Sequence, residues 1–190
     1  MTIFRTLKNA TLLAVTAAGG LLTSCIEAPD YPDTPRIEFK EMTVERYRPG
    51  PSPIAPIDSV KITVDFTDGN GDLGLDASEN SPPYDRFRNG VYNRNGDNYY
   101  VTVYRRSDPS KPFEIYPGNG PQGYNSRYPK LFTDGDKEGP LKGTLTFSIE
   151  LLYDAPFVAG EELRFDISIA DRALNESNKI TTPSIIIQPK

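Results

Sequence analysis

Leu163-Arg164-Phe165-Asp166-Ile167-Ser168-Ile169 puts four apolar side chains on one side of an extended chain and three polar ones on the other. Strand residues alternate sides with a period of two, so this stretch builds a β-strand with one buried face and one wet face. Three more segments carry the same period. Val60, Ile62, Val64 and Phe66 share a face, with Lys61, Thr63 and Asp65 opposite. In Tyr99–Arg105, Val101 and Val103 oppose Tyr100, Thr102 and Tyr104. Leu145, Phe147, Ile149 and Leu151 form the last set. Pro112–Tyr116 and Ile180–Gln188 read as shorter strands. Arg36–Val44 alternates through Ile37 and Phe39 and then slips before Met42 and Val44, the spacing a β-bulge produces. Asn95-Gly96 marks a turn ahead of the Tyr99 strand. No window after the first 24 residues has an apolar period of 3.6, and 15 Gly with 18 Pro favour turns over helices. The pattern predicts an all-β fold, an antiparallel two-sheet sandwich of about seven strands.

The N-terminus has a different character. Met1–Lys8 carries Arg5 and Lys8 and no acid, and Ala10–Leu22 is an uncharged, mostly apolar run of 13 residues. A spanning helix needs roughly 20 residues, so the run reads as an export signal rather than a membrane anchor. It ends in Leu22-Thr23-Ser24-Cys25, which resembles the bacterial lipobox. That resemblance implies cleavage before Cys25 and attachment of a diacylglycerol with palmitate-type chains to its sulfur. More than one acyl chain is what stable anchoring requires. Ile26–Pro35 follows, with three prolines, two Asp and one Glu, and reads as an extended tether. The expected organisation is a signal peptide at 1–24, a lipidated cysteine and tether at 25–36, and a β domain at 37–190. Ile26 rather than Asp after the cysteine points to the outer membrane, on either its periplasmic or its surface face.

Charge narrows the partners. Without residues 1–24 the chain has 19 basic and 26 acidic residues, an acidic balance that excludes a nucleic-acid-binding role and leaves anchoring to the lipid. Cys25 is the sole cysteine, so no disulfide within the chain is expected. The chain has no His, which removes Ser-His-Asp and Cys-His catalysis and His-based zinc sites. No reaction is therefore expected. The alternative is an envelope carbohydrate-active enzyme working through a pair of carboxylates.

Two resemblances bear on the fold and location. Leu163–Ile187, an alternating strand running into a turn with Asp171, Asn175 and Ser177 and then a β-branched strand, resembles the last hairpin of bacterial immunoglobulin-like and fibronectin-type-III-like domains. Phe66-Thr67-Asp68-Gly69-Asn70-Gly71-Asp72-Leu73-Gly74, together with the lipobox, is similar to loops in small outer-membrane lipoproteins of the Bacteroidota. The implied function is a non-catalytic binding or accessory module at the cell envelope, with an outer-membrane protein complex or a glycan as partner.

The segment with the most chemistry is Asp68–Glu79. Asp68, Asn70, Asp72, Asp76 and Glu79 fall at positions 1, 3, 5, 9 and 12, the spacing by which an EF-hand loop wraps Ca²⁺. Leu73 stands where that loop has Gly, and the flanks are strands, so the expectation is an EF-like calcium loop grafted on a β domain. Asp65 or Asp171 would complete its shell. The same residue types also build any tight loop, because Asp, Asn and Gly tolerate left-handed backbone. Phe132-Thr133-Asp134-Gly135-Asp136 partly echoes Phe66-Thr67-Asp68-Gly69, a weak sign of a repeat. Tyr116, Tyr124 and Tyr128 border a Gly- and Asn-rich loop and are the candidate ligand-binding rings, since aromatic faces stack on sugars. Strand propensity alone is the simpler account of them, since Tyr is a good residue for a half-buried sheet surface.

Overall fold

The computed structural model describes residues 29–51, 55–118, 120–132, 135, 139–153 and 156–189. Cys25, the signal segment, the first part of the tether and most of the Phe132–Asp136 echo lie outside them.

The described chain is all-β, with every paired strand antiparallel. One sheet has three long strands in the order β1–β2–β7: β1 (Arg36–Tyr47), β2 (Ile57–Asp68) and β7 (Leu141–Leu152). A second has the order β10–β8–β5–β6, built from β5 (Tyr99–Arg106), β6 (Glu114–Tyr116), β8 (Glu162–Ile169) and β10 (Ile185–Ile186), with β9 (Ile180–Thr181) also on β8. β3 (Phe87–Arg88) and β4 (Val91–Tyr92) make a small hairpin apart from both. Among the described residues no helix is long and apolar enough to cross a membrane.

Alternation explains the strands residue by residue. Val60, Ile62 and Val64 are fully buried, as are Leu163, Phe165, Ile167 and Ile169. Together with Ile149, Leu151 and Tyr99 they belong to one hydrophobic core cluster, to which strands of both larger sheets contribute. Tyr99 of β5 stacks on Phe147 of β7 at 4.6 Å between ring centroids, a direct contact between the sheets. Burying a side chain of this kind stabilises the fold by roughly 1.5–3 kcal/mol. The register of β1 on β2 shifts between Phe39 and Glu41, at the place where the alternation slips. The Ile180–Gln188 segment forms two short strands rather than one, because Pro183 has no N–H to continue a ladder. Asn95-Gly96 belongs to a 3₁₀ turn, Arg94–Gly96, capped by Asn93. The tight hairpin turn is instead Asn89-Gly90, both with positive φ, between β3 and β4.

The strand order sets the geometry of one end of the molecule. β2 ends at Asp68 and β8 ends just before Asp171, so the loops that follow them meet. Leu73 and Asp171 form an isolated antiparallel bridge. The chain ahead of β1 reaches the same end, where Gly69 donates its N–H to the Pro32 carbonyl at 2.8 Å. A Cβ at Gly69 would collide with the Tyr31 carbonyl, so glycine is what lets the two segments touch.

Candidate metal centre

Asp68 is the last residue of β2 and continues its inward row after Val60, Ile62, Val64 and Phe66. A carboxylate therefore lands in the core, with no exposed surface at all. The chain turns at once, and the Gly71 N–H donates to Asp68 Oδ2 at 2.8 Å. The turn returns Asp72 to the same spot. Across from it, Asp171 follows Ile169 on the inward row of β8 and is 2 % exposed. The turn after Asp171 is closed by Asn175, whose backbone N–H and side-chain amide donate to the two Asp171 carboxylate oxygens at 2.7 and 2.8 Å. The two loops are joined by backbone: Arg172 N–H donates to the Asp72 carbonyl at 3.1 Å, and Ala173 N–H to Asp72 Oδ2 at 3.1 Å.

One carboxylate oxygen from each of Asp68, Asp72 and Asp171 lies within 4.8 Å of the others. Asp68 Oδ1 and Asp72 Oδ1 are buried and accept no hydrogen bond. Buried polar atoms are nearly always partnered, so two such oxygens in one spot call for an explanation. The local electrostatics agree. Burial pushes the Asp68 carboxyl up to about 6, the Gly71 N–H opposes that rise, and the Asp72 and Asp171 charges add to it. Burial, then the Asp171 charge, raises Asp72 as well. Tyr128 packs nearby with its hydroxyl donating to the Ala170 carbonyl at 3.1 Å. Burial first, and then the three carboxylates, raise its pKa.

The basic groups of this end are used elsewhere. Arg172 turns its guanidinium to Glu79 and holds it with two bonds, at 2.6 and 2.9 Å. Glu79 also accepts the Asp76 N–H at 2.7 Å, and the Arg172 contact foremost brings its carboxyl down to about 2. Asp76 pairs with Lys130 at 3.2 Å. Of the five residues with EF-hand spacing, the fold thus brings Asp68 and Asp72 together and directs Asp76 and Glu79 to cations of the chain. Asn70 stays beside the turn, its side-chain oxygen 3.4 Å from the Asp72 N–H. Asp171 joins the cluster. Asp65 does not: it lies on the outer face of β2, bonded to Lys40 and Thr144.

The three tyrosines turn toward the protein. Tyr128 is buried. Tyr116 packs edge-on against Phe157 at 5.0 Å, and Tyr124 lies beside Tyr116 at 6.3 Å. Tyr116 and Tyr124 line a groove of about 230 Å³ with Arg94, Gln122 and Asn125. The loop that carries them has a different organiser, Arg127. Its guanidinium donates to the carbonyls of Gly96, Asp76, Glu79 and Tyr84, tying three loops to one side chain. Nothing in the local sequence marks this arginine, because its four acceptors are backbone groups.

Three carboxylates, two buried and one half-buried, with unsatisfied oxygens and no salt bridge among the described residues, can coordinate a divalent metal ion. All the donors are hard oxygens, the set that suits Ca²⁺, Mg²⁺ or Mn²⁺ rather than metals favouring nitrogen or sulfur. No protein-family model matches this sequence, and neither a curated protein nor a solved structure is significantly similar to it.

Proposed function

We propose that this protein is a lipid-anchored, non-catalytic module of the bacterial cell envelope whose β domain is completed by a calcium ion at Asp68, Asp72 and Asp171. The observation that carries the calcium reading is Asp68, a fully buried carboxylate with an oxygen that accepts nothing, beside two further carboxylates. Three negative charges in low dielectric repel one another unless a cation sits among them. The three donors are hard oxygens within 4.8 Å of one another, a set that the flexible oxygen shell of Ca²⁺ accommodates. Asn70 and waters are the natural sources of further oxygens. The burial of Asp68 and Asp171 also favours an ion over a sugar ring, which needs its carboxylates in an open cleft.

The anchoring part of the reading rests on Cys25 and its lipobox, with outer-membrane placement and an envelope complex or glycan as partner. The two larger sheets sharing one core support an immunoglobulin-like or fibronectin-type-III-like sandwich. The Asp171–Ser177 turn is built as such a hairpin requires: Asn175 closes it, and Ser177 Oγ accepts the Ile169 N–H at 3.0 Å. In this reading the ion clamps the end of the domain where the chain arrives from the lipid, since Gly69 of the same loop holds Pro32.

The test is thermal unfolding in millimolar Ca²⁺ and in chelator. Extracellular calcium modules bind with Kd on the order of 10⁻⁴–10⁻³ M. At ten times Kd, linkage adds roughly 1.4 kcal/mol, a rise in Tm of about 3–5 °C for a domain of this size. Asp72→Ala/Asp171→Ala should abolish the rise. An unchanged Tm at 10 mM Ca²⁺ in the unsubstituted protein ends the calcium reading. Separately, Cys25→Ser should move the protein from the membrane to the soluble fraction, and its retention on the membrane would end the anchoring reading.

A further inference from the structure

The three-stranded sheet has two outer strands, and they are finished differently. β1 is guarded. A bulge interrupts its register at Lys40, and charged residues recur along it. Near its start, the Asn178 side chain bonds both the N–H and the carbonyl of Ile37 at 2.9 Å. Near its end, Arg46 bonds the carbonyls of Gln188 and Pro189. These are the devices by which proteins blunt a sheet edge.

β7 has neither the bulge nor the side-chain caps, and fewer charges. Its twelve residues pair with β2 without a break, from Leu141 opposite Asp68 to Leu152 opposite Ile57. Among the described residues no strand pairs with its other side. It has no proline and no bulge, and its charges are Lys142 near one end and Glu150 near the other. Lys142, Thr144, Thr146, Ser148 and Glu150 are exposed on the outer face. On the inner face, Phe147 is only half-buried, so the edge leaves apolar surface incompletely covered. Among the described residues Lys142 forms no salt bridge, acting on Asp65 at a distance, and Glu150 accepts the hydroxyls of Ser59 and Tyr47.

We propose that β7 pairs with β7 of a second copy of this chain, antiparallel, on a two-fold axis through Thr146. The register follows from two requirements. Residues directly opposite in an antiparallel pair share a face, so outward residues must meet outward ones, which forbids the register that overlaps all twelve residues. Centring on Thr146 sets Lys142 opposite Glu150 of the second copy, twice by symmetry. It also sets Thr144 opposite Ser148, and Leu145 opposite Phe147. Centring one residue further along sets Lys142 opposite Leu152 and leaves both charges unmatched. The product is a continuous six-stranded sheet with an isologous interface, in which the two long edges cover each other.

Oxidative cross-linking of the full chain in its membrane tests this. Thr146→Cys places two thiols across the axis with Cα atoms about 4.5–5.5 Å apart, within disulfide range. A disulfide-linked dimer is expected on a non-reducing gel. Thr43→Cys on the outer face of β1, and the unsubstituted chain with Cys25 alone, should give none above background. In the Thr146→Cys background, Lys142→Glu sets glutamates opposite each other and should lower the cross-linked fraction at least about fivefold. Lys142→Glu/Glu150→Lys should restore it. The pairing is overturned if Thr146→Cys cross-links no more than Thr43→Cys. It is equally overturned if the double exchange does not recover what the single one lost, because restoration requires the two residues to face each other.

Discussion

β2 has a buried aspartate near its start and another at its end, and the two ends treat it in opposite ways. Asp58 is 4 % exposed and meets the Arg46 guanidinium in two bonds, at 2.6 and 2.7 Å. Asp68, ten residues further along the same pairing with β7, has no exposed surface and meets two more carboxylates. The residue type, the strand and the burial are the same, so the counter-charge is what differs. One end carries its cation in the sequence, and its stability does not depend on what is dissolved outside. In the proposed reading the other takes its cation from solution, so its stability should follow ion concentration and pH.

The largest effect expected from this contrast is at the self-sufficient end. Arg46→Ala leaves Asp58 buried without its partner and also frees the Gln188 and Pro189 carbonyls. Because Arg46 is itself partly exposed, the loss should be about 2–4 kcal/mol in urea unfolding rather than the upper end for a broken buried pair. The loss should be equal in calcium and in chelator. A loss that calcium repairs would break the distinction between the ends.

At the other end the same kind of change should have the opposite sign. Asp68→Asn keeps the shape, removes one of three repelling charges and supplies an amide donor to Asp72 or Asp171. In chelator it should raise stability by about 1–2 kcal/mol. It should also remove the calcium-dependent rise in Tm. Destabilisation in chelator would mean that Asp68 is satisfied as it stands.

pH sharpens the comparison without any substitution. The Asp68 carboxyl titrates near 6 in the folded protein against an ordinary 3.8. The unfolded chain therefore gives up this proton first as pH rises. In chelator, stability from this group is fully present below about pH 4 and is lost as pH rises through about 6. Saturating calcium should reverse the slope, because the ion binds the charged form. Unfolding midpoints between pH 5 and 7, with and without calcium, read both slopes. Parallel slopes would separate the titration from the ion.

Much of this fold is legible in the sequence because each long strand buries a single face. Val60–Phe66 and Leu163–Ile169 alternate, and the slip after Phe39 marks the bulge. The hairpin at Asn89-Gly90 escapes the same reading, since four residues of strand carry too little alternation to register. Part of the carboxylate cluster is legible too. The inward row of β2, extended two places past Phe66, puts Asp68 in the core, and the Asp-x-Asn-x-Asp run contains its neighbour Asp72. Asp171 lies a hundred residues away, and only the meeting of the β2 and β8 ends selects it over Asp65. Glu79 and Asp76 show the converse. Loop spacing marks them as ligands, but Arg172 and Lys130, distant in sequence, take their charges. Of the three tyrosines, Tyr128 is buried, whereas Tyr116 and Tyr124 are half-buried and line a groove, a difference that no local pattern marks.

Glu79 gives the smallest effect and the most discriminating one. In an EF-hand order it closes the shell from position 12, and its loss would remove calcium binding. Here Arg172 holds both its oxygens and depresses its carboxyl to about 2. Glu79→Gln should therefore leave the calcium-dependent rise in Tm intact. Its cost should be about 0.5–1 kcal/mol, since the pair is partly exposed. The pH signature has the opposite sign to that of Asp68. A depressed folded pKa contributes stability above the ordinary value near 4.5 and loses it as pH falls toward 2, so Glu79→Gln should flatten acid unfolding in that window. Isothermal titration with calcium decides between the two ligand sets. Unchanged binding in Glu79→Gln with lost binding in Asp171→Asn assigns the ion to the meeting of two strand ends. The reverse pattern assigns it to a loop contiguous in sequence, and the contrast between the ends of β2 would then need another cause.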